Sequence, residues 1–518
     1  MYDSPLFRYG GIGMKNGRPT LRLKYLGIDT YKEAVIYMRP DCYVCESEGF
    51  EAQARVRVSL DHSHTIIATL NTVASDVLKI GEASLSEYAW KLLGAREGDT
   101  IHISHPEPIR SLAYVRGKIH GNKFPSYALL EIMRDIVAGN YSDIHIAAFL
   151  TACAGNHLDR DEIRDLTKAM VNVGERFLWP SELVVDKHCV GGLPGNRTTL
   201  VIVPIVAAFG LTIPKTSSRA ITSSAGTADT MEVLAPVELS FSKMLNVVEE
   251  QNGCIAWGGT STLSPADDII IRVERVIDLD SEAQLVASIL SKKLAAGSNH
   301  IVIDIPIGPT SKVRDQKKAI RLRDHLISIG QGLGLTIKVV FTDGAQPIGR
   351  GIGPALEARD VLAVLQNQPE APQDLRDRSL MLAGEILEFS PKVVPGSGFA
   401  LAKDILVSGK AWKKFQDICE AQGGMREVPV AQYKREYLSR HTGKISAIDN
   451  RMIARIAKLA GAPQSKEAGV DLHVHVGAQV EKDQPLLTVH SEARGELDYA
   501  FHFISQEDGI FQFESNFK

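Results

Sequence analysis

The chain has 518 residues, which is long enough for three or more domains that each bury a core of their own. Its 44% hydrophobic and 23% charged residues are typical of a globular protein, and a formal net charge of −4 argues against nucleic acid or an anionic membrane as a partner. The longest apolar run, 200–211, is shorter than the roughly 18 residues that suggest a membrane span, and residues 1–21 lack a secretory signal pattern, so we expect a cytoplasmic protein.

Residues 1–104 are predicted to form a small β-rich domain, because short runs alternate apolar and polar residues. Cys42 and Cys45 form a single CxxC pair, and no second pair is present to complete a zinc site. We interpret them as reduced structural thiols and leave a redox or metal role open. The predicted strands are 21–25, 33–38, 54–60 and 65–70, and a helical pattern follows over 85–93.

The rest of the chain predicts three further domains and a multidomain α/β fold overall. Apolar stripes at helical spacing over 105–173, joined by about 265–298, predict an all-helical domain. Residues 174–264 and 299–415 alternate strand-like and helical runs, which indicates an α/β domain with a mostly parallel central sheet. Residues 416–518 are predicted to be an α+β C-terminal domain with a structural, hairpin-rich tail over 470–501. The strand-like runs of the α/β domain include 201–206, 301–305 and 337–341.

Between residues 186 and 229, two loops carry residues suited to holding an oxyanion. The first follows Lys187 and His188 and is rich in glycine, so its backbone N–H groups can approach a phosphate closely. Thr198 or Thr199 is predicted to cap the helix that this turn feeds, over 201–209. The second loop, 216–227, surrounds Arg219 with hydroxyl side chains, a combination that suits phosphate oxygens.

Either loop alone could be an ordinary turn, because glycine and hydroxyl residues also favour turns. Two such loops separated by one apolar element favour a phosphate site. The first is not a Walker P-loop, since it lacks the Gly-Lys-Ser/Thr ending. A run of glycines at 349–354 lacks the context of a dinucleotide loop and is interpreted as a mobile active-site loop or a turn. The candidate phosphate ligands are Lys187, Gly192, Thr199, Ser217 and Thr227.

The clearest predicted helix spans 280–297. Ser281 and Gln284 have the spacing of a capping box, and Gly297 is placed to end the helix. Ser288 and Lys292 are four residues apart and therefore share one face, where they could read the edge of a heterocyclic base. Taken alone, the helix favours the simpler interpretation that Lys292 and Lys293 form its solvated end.

The two loops, CVGGLPGNRTT and PKTSSRAITSSAGTADTMEVLAP, resemble the signature of the thymidine and pyrimidine-nucleoside phosphorylase family. The amino-acid sequence of these loops is most similar to the branch that includes archaeal AMP phosphorylases and bacterial relatives named as thymidine phosphorylases. The similarity extends from about residue 118 to about residue 500. The chain departs from ordinary thymidine phosphorylases at Cys189, where serine is usual, and over 194–197.

The resemblance implies roles for individual residues. Arg272, Ser288 and Lys292 match the base-contacting positions of thymidine phosphorylases, and Asp280 matches the proton donor assigned in AMP phosphorylases. His188 is expected to assist the leaving base. The catalytic set is therefore Asp280, His188 and Lys292. The residues implied in nucleoside or nucleotide binding are Gly192, Ser218, Arg219, Ala220, Ile221, Thr222, Ser223, Thr227, Arg272, Ser288, Lys292 and Lys312.

The expected reaction is reversible phosphorolysis of a pyrimidine nucleoside, in which thymidine and phosphate give thymine and 2-deoxyribose 1-phosphate. The alternative is a nucleoside 5′-monophosphate phosphorylase that releases ribose 1,5-bisphosphate. Phosphate would be a co-substrate, with no cofactor and no metal, and we expect a homodimer or higher homo-oligomer. Two rivals are a phosphoribosyltransferase of the anthranilate type, against which the first loop lacks an expected aspartate, and a non-catalytic nucleotide-binding regulator.

Overall fold

The computed structural model describes residues 14–15, 18–155, 157–191, 193, 195–220, 223–260, 263–277, 279 and 281–514. The chain separates into two units, one made of residues up to 113 together with 135–145, and one made of 114–134 together with 146–518. Within the described ranges, no helix is long and apolar enough to cross a membrane. The multidomain α/β architecture expected from the sequence is confirmed, while the finer division into four domains stays a prediction.

The first unit is built around a closed ring of six strands. Strand β2 pairs with both β6 and β7, so the order β2-β6-β3-β5-β4-β7 returns to its start, and β1 adds a hairpin to β2. The strands are β1 (Met14–Lys15), β2 (Arg18–Leu23), β3 (Val35–Met38), β4 (Arg55–Ser59), β5 (Thr65–Thr72), β6 (Glu82–Leu85) and β7 (Thr100–Ser104), with helices α1 (Tyr43–Glu48) and α2 (Glu87–Leu93) between them.

Alternating side chains explain why these residues form strands. In β4, Val56 and Val58 are wholly buried in the barrel, while Arg55 and Arg57 between them are partly exposed. Cys42 and Cys45 lie in the same core as free thiols, and the Cys42 sulfur accepts a 3.4 Å hydrogen bond from the Cys45 N–H at the start of α1. The CxxC pair thus caps a short helix inside the core.

Four helices follow in the chain: α3 (Leu112–Ile119), α4 (Ala128–Val137), α5 (Asp143–Cys153) and α6 (Arg160–Asn172). The apolar stripes that predicted α4 and α6 are their buried faces. In α5 the buried side chains are instead Ile146, Phe149 and Leu150, whereas Ile144 is 80% exposed. Helix α6 begins with a capping box in which Asp159 and Glu162 satisfy each other's backbone N–H groups. The same carboxylates tie this turn to the preceding segment, because Glu162 also accepts from the Lys118 ammonium at 2.5 Å and from the Phe124 N–H at 2.8 Å.

The centre of the second unit is a parallel sheet. Strand β11 pairs with β8 on one side and β12 on the other, β9 pairs with β10, and a bridge between Val184 and Thr212 joins the two groups. The segment predicted both as a helix (201–209) and as a strand-like run (201–206) is helical. Its side chains are buried on all sides, so its apolar run is continuous and also resembles a strand. The elements are β8 (Val185–Cys189), α7 (Thr198–Phe209), β9 (Ile213–Ser217), α8 (Thr227–Leu234), α9 (Phe241–Gln251), β10 (Gly253–Trp257), α10 (Pro265–Ile277), α11 (Glu282–Ala295), β11 (His300–Ile307), α12 (Gln316–Gln331) and β12 (Thr336–Asp343).

The C-terminal part corrects two predictions. Residues 349–354 do not form a mobile active-site loop or a mere turn, because Gly351 and Ile352 pair antiparallel with β16. The tail is hairpin-like only as far as Ser491, after which a helix begins. The elements are β13 (Gly351–Ile352), α13 (Pro354–Leu365), α14 (Gln373–Leu387), α15 (Gly398–Val407), α16 (Lys410–Gln422), β14 (Tyr433–Leu438), β15 (Gly443–Ile448), α17 (Asn450–Leu459), β16 (Gly469–Leu472), β17 (Gln479–Val480), β18 (Pro485–Ser491), α18 (Arg494–Gln506) and β19 (Phe511–Phe513).

Gly297 ends α11 as predicted, with a left-handed φ of 77° after the C-cap Ala296. A Cβ at Gly297 would lie 2.6 Å from the Phe177 carbonyl oxygen. Gly334 has a similar φ of 79°, but nothing lies within 4 Å of its Cβ position. Substitutions at the two glycines therefore separate the cost of backbone strain from the cost of steric crowding.

We expect Gly334→Ala to cost about 1–2 kcal/mol, the penalty of a left-handed non-glycine residue. Gly297→Ala should cost about 1–3 kcal/mol more, because the Phe177 carbonyl must also move. The midpoint of thermal denaturation, recorded for both variants and the wild type, tests the order. Equal midpoints for the two variants would contradict it.

Candidate active site

A cavity of about 280 Å³ opens at the carboxyl ends of β8 and β9, and α10 and α11 line its other side. Ligands of parallel sheets bind at this edge, where loops follow the strands. The cavity wall includes both loops predicted to hold an oxyanion and the helix face predicted to read a base. The structure thus brings the two halves of the predicted site to one cavity.

The glycine-rich turn after β8 is stiffened by its own side chains. The Thr198 hydroxyl donates to the Gly195 carbonyl at 2.7 Å, and the Lys187 ammonium donates to that same carbonyl at 3.3 Å and to the Thr198 oxygen at 2.7 Å. Helix α7 begins at Thr198, and Arg197 occupies the N-cap position without a side-chain cap. The prediction that Thr198 or Thr199 caps this helix is therefore wrong, because Thr198 bonds within the turn.

Gly195 and Cys189 are packed together at the base of this turn. A Cβ at Gly195 would lie 3.1 Å from both the Cys189 sulfur and the Asp304 carboxylate, so only glycine fits without displacement. Burial raises the pKa of the Cys189 thiol to about 12, which keeps the thiol protonated. The cysteine that replaces the usual serine therefore acts as a small neutral side chain.

The hydroxyl-rich loop after β9 is held by Asp229. Its carboxylate accepts hydrogen bonds from the N–H groups of Ala220, at 2.6 Å, and Gly226, at 2.9 Å. A Cβ at Gly226 would lie 2.6 Å from the Ser218 carbonyl oxygen, so the two sides of the loop touch only because residue 226 is glycine. Helix α8 begins directly after it, at Thr227.

Asn196 joins the two loops into one cradle. Its side-chain amide donates to the Ala225 carbonyl at 2.8 Å, and its backbone carbonyl accepts a 3.2 Å hydrogen bond from the Thr227 hydroxyl. The first turns of α7 and α8 both border the cavity, through Thr199 and Thr227. Helix N-termini carry partial positive charge and free N–H groups, so this arrangement suits an anion.

Arg219 lines the cavity, but its guanidinium is already neutralised. It forms two 2.7 Å hydrogen bonds with Glu232, a 3.0 Å bond with Glu238 and a 3.3 Å bond with Asp229, and it lies 4.6 Å over the Trp257 ring. The structure therefore gives this guanidinium another role than direct phosphate binding. It anchors the hydroxyl-rich loop.

Arg197 is likewise a buried scaffold. Its guanidinium donates to the Gly351 carbonyl and contacts Asp360 at 3.4 Å and Glu357 at 3.5 Å, all without exposure to solvent. Burial raises the pKa of Glu357 to about 7, although Arg197 acts in the opposite direction. This arginine ties the glycine-rich turn to α13 instead of reaching the cavity.

A buried charge cluster under the cavity was missed by the sequence analysis. The Asp186 carboxylate contacts Lys293 at 2.6 Å and Lys215 at 3.3 Å, and Lys215 also donates to the Lys187 carbonyl at 2.8 Å. Two ammonium groups share one carboxylate, which leaves excess positive charge at the cavity wall. The sequence signal for this cluster is a lysine inside each of two apolar elements, and the helical pattern alone predicts that Lys293 belongs to a solvated helix end.

His188 lies beside this cluster. Burial and the ammonium groups of Lys293, Lys215, Lys292 and Lys187 lower its pKa well below the usual value. The imidazole is therefore neutral near pH 7 and can donate or accept a hydrogen bond. It is therefore not a protonated general acid for the leaving group.

On the opposite wall, α11 presents the predicted base-reading pair. The Lys292 ammonium donates to the Ser288 hydroxyl at 3.2 Å and pairs with Asp267 at 2.6 Å. Asp267 raises the pKa of Lys292 even though burial acts to lower it. The predicted N-cap of α11 is confirmed, since the Ser281 hydroxyl accepts from the Gln284 N–H at 3.4 Å. The reciprocal half of the predicted capping box is absent, because the Gln284 side-chain amide has no hydrogen-bond partner among the residues that the structure describes.

The predicted site residues fall into three groups. Those at the cavity wall are Lys187, His188, Thr199, Ser217, Ser218, Arg219, Ser223, Thr227, Ser288, Lys292 and Lys312. Ala220 and Arg272 are not part of the wall, where α10 contributes Ile271, Glu274 and Arg275. Gly192, Ile221, Thr222 and Asp280 lie outside the described residues.

Three family models match the chain. The glycosyl transferase family a/b domain matches residues 181–412, and the helical bundle domain of the same family matches residues 113–174. The pyrimidine nucleoside phosphorylase C-terminal domain matches residues 444–508. Together the three models cover the cavity walls and most of the C-terminal part.

Curated relatives align over nearly the whole chain. A Legionella pneumophila (strain Philadelphia 1) protein named "Putative thymidine phosphorylase" is 60% identical over 98% of this chain and 99% of its own. Proteins of the same name from Polaromonas sp. (strain JS666) and Hahella chejuensis are 59% and 54% identical, over 94% and 93% of this chain and 95% and 96% of their own.

Among solved structures, anthranilate phosphoribosyltransferase from Thermus thermophilus is similar with a TM-score of 0.50. It is 19% identical and covers 60% of this chain and 99% of its own. At that identity the likeness shows a shared fold for that part of the chain and nothing about the reaction.

The charge cluster predicts a pH-dependent affinity for anions. Burial lowers the pKa of Lys293 to about 7, so this group is protonated below that pH and neutral above it. Sulfate keeps its charge across neutral pH, so calorimetric titration with sulfate reports the change in the protein. We expect sulfate affinity to fall as the pH rises through 7.

Lys293→Met should remove most of this pH dependence and leave Asp186 paired with Lys215 alone. Lys317→Met, at an exposed lysine on α12, is the matched control and should keep the wild-type profile. A flat wild-type profile, or an unchanged slope in Lys293→Met, would contradict the assignment.

Proposed function

This chain belongs to the thymidine and pyrimidine-nucleoside phosphorylase family, and on that premise we propose that it catalyses the reversible phosphorolysis of a pyrimidine nucleoside. Thymidine and phosphate would give thymine and 2-deoxyribose 1-phosphate. The observation that carries the proposal is one cavity bounded by an anion cradle on one side and the Ser288–Lys292 face of α11 on the other.

Phosphate binds in the cradle formed by the two loops. Ser217 offers a hydroxyl, Thr199 and Thr227 lie in the first turns of α7 and α8, and Lys187 contributes positive charge from the strand end. A phosphate oxygen then attacks C1′ of the sugar as the bond from C1′ to the base breaks. The transition state is oxocarbenium-like, so the phosphate charge below C1′ stabilises it.

The electron pair of the broken bond moves to the base, which must be stabilised as it leaves. Lys292 and Ser288 hydrogen-bond its polar edge, and the neutral His188 can donate a further hydrogen bond. The proton that completes the free base comes from Asp280 by family resemblance. Burial of the lysines in a narrow cavity strengthens these interactions relative to water.

A nucleoside 5′-monophosphate is the second candidate substrate, with ribose 1,5-bisphosphate as product. The observation that favours it is a surplus of cations at the cavity wall. Lys312 lies beside Gly191, whose Cβ position would be 3.4 Å from the lysine Cβ, and Lys215 and Lys293 share one carboxylate. A site built to pair a second phosphate would reject the unphosphorylated nucleoside, because its cations would lack a partner.

The phosphoribosyltransferase rival shares the fold, so its exclusion rests on residues. The turn 188–193 lacks the aspartate expected of that family. We propose that inorganic phosphate is the co-substrate and that no cofactor takes part, since lysines and helix N-termini already offer the charge that phosphate needs. A homodimer or higher homo-oligomer belongs to the same proposal.

A side-by-side screen of thymidine, uridine, AMP, CMP and UMP tests the substrate. We expect base release from thymidine that depends on phosphate and persists without magnesium. Release confined to the monophosphates would establish the second candidate. Activity only with diphosphorylated ribose and magnesium would establish the transferase, and tight binding without turnover would establish the regulator.

Two lysine variants test the division of the cavity into two subsites. Lys187→Ala should raise the KM for phosphate, and Lys292→Ala the KM for the nucleoside, with kcat/KM falling about a hundredfold, the size of one desolvated charged hydrogen bond. Because Lys292→Ala also leaves Asp267 without its cation, the double variant with Asp267→Asn is the control. Equal damage to both substrates from either single change would contradict two subsites.

A further inference from the structure

The segment 462–468 lies in the C-terminal part of the chain, far in sequence from both cavity loops, and carries Lys466. The Lys466 ammonium pairs with Glu232 at 2.6 Å and lies 3.8 Å from Asp229. Both carboxylates belong to α8, the helix that begins where the hydroxyl-rich loop ends. A lysine from the C-terminal part thus contacts the support of a cavity loop.

These two carboxylates determine the shape of that loop. Asp229 accepts the N–H groups of Ala220 and Gly226, which stand on opposite sides of the loop. Glu232 holds the Arg219 guanidinium through two hydrogen bonds of 2.7 Å each. Any shift of these side chains moves the hydroxyls that the loop presents to the cavity.

Charge balance gives Lys466 a second effect. Arg219 alone faces three carboxylates, those of Asp229, Glu232 and Glu238, and Lys466 is the second cation of this cluster. Without it, the excess of negative charge directly behind the loop that is proposed to bind an anion would be larger. Charges this close to a partly buried site are only weakly screened by salt.

The backbone of the same residue reaches the support of the other loop. The Lys466 carbonyl accepts a 2.9 Å hydrogen bond from the Ala355 N–H at the start of α13. Helix α13 carries Glu357, which contacts Arg197 of the glycine-rich turn and accepts a hydrogen bond from Thr230 of α8 at 3.2 Å. One residue therefore touches the supports of both loops.

We propose that Lys466 is a positioning residue for the anion cradle, holding the hydroxyl-rich loop in place and offsetting the carboxylates behind it. Its effect on phosphate rests on the proposed function, whereas its effect on the loop does not. The C-terminal part thereby supports the anion cradle without lining the cavity.

Hydrogen exchange at the amides of Ala220 and Gly226 tests the effect on the loop. Lys466→Ala should speed exchange at both amides about fivefold, the size of one partly exposed ion pair, and Lys466→Arg should restore wild-type rates. Lys444→Ala is the matched control, because Lys444 pairs with Glu514 at 2.6 Å elsewhere in the C-terminal part. Wild-type exchange in Lys466→Ala, or the same change in Lys444→Ala, would overturn the proposal.

Steady-state kinetics test the effect on phosphate. Lys466→Ala should raise the KM for phosphate about fivefold with kcat within about twofold of wild type, while Lys466→Arg and Lys444→Ala keep the wild-type KM. A fall in kcat at constant KM, or no rescue by arginine, would overturn a positioning role. If the wild type releases no base from any nucleoside, the proposed function fails and hydrogen exchange still decides this inference.

Discussion

The site depends on one buried carboxylate. Asp186 on β8 contacts Lys215 on β9 and Lys293 on α11, so a single side chain ties two strands of the sheet to the helix that carries Ser288 and Lys292. A buried ion pair adds little net stability, because desolvation offsets the attraction, but breaking one leaves an uncompensated charge and is strongly destabilising. The cluster therefore specifies where the two cavity walls stand.

Arginine–carboxylate pairs also fix the elements around the cavity. Arg197 joins the glycine-rich turn to α13 through Glu357 and Asp360, and Arg219 joins the hydroxyl-rich loop to α8. Each arginine is charge-paired with carboxylates of the protein, which leaves backbone N–H groups, hydroxyls and lysines for the ligand. Such pre-organised supports let a site bind an anion without reorganising at the moment of reaction.

Much of the fold could be predicted because it is encoded locally. The helical stripes of α4 and α6 and the N-cap at Ser281 depend on residues three or four positions apart, and the structure has them. Predictions failed where a local pattern had two solutions. Thr198 bonds within the turn instead of capping α7. Gly351 joins a strand that the local sequence could not predict, because its partner, β16, lies more than a hundred residues away.

The chemical groups of the site can be read from the sequence: a glycine-rich turn, a hydroxyl-rich loop and a helix face with Ser288 and Lys292, in the order of a known family. Which of the charged groups are available to a ligand depends on long-range packing. Arg219 was predicted beside a phosphate and is paired with carboxylates in the structure, while Lys215 and Lys293, which were not predicted as site residues, stand at the cavity wall. The reason is physical, since the charge that a side chain can offer depends on burial and on neighbours that are distant in the chain.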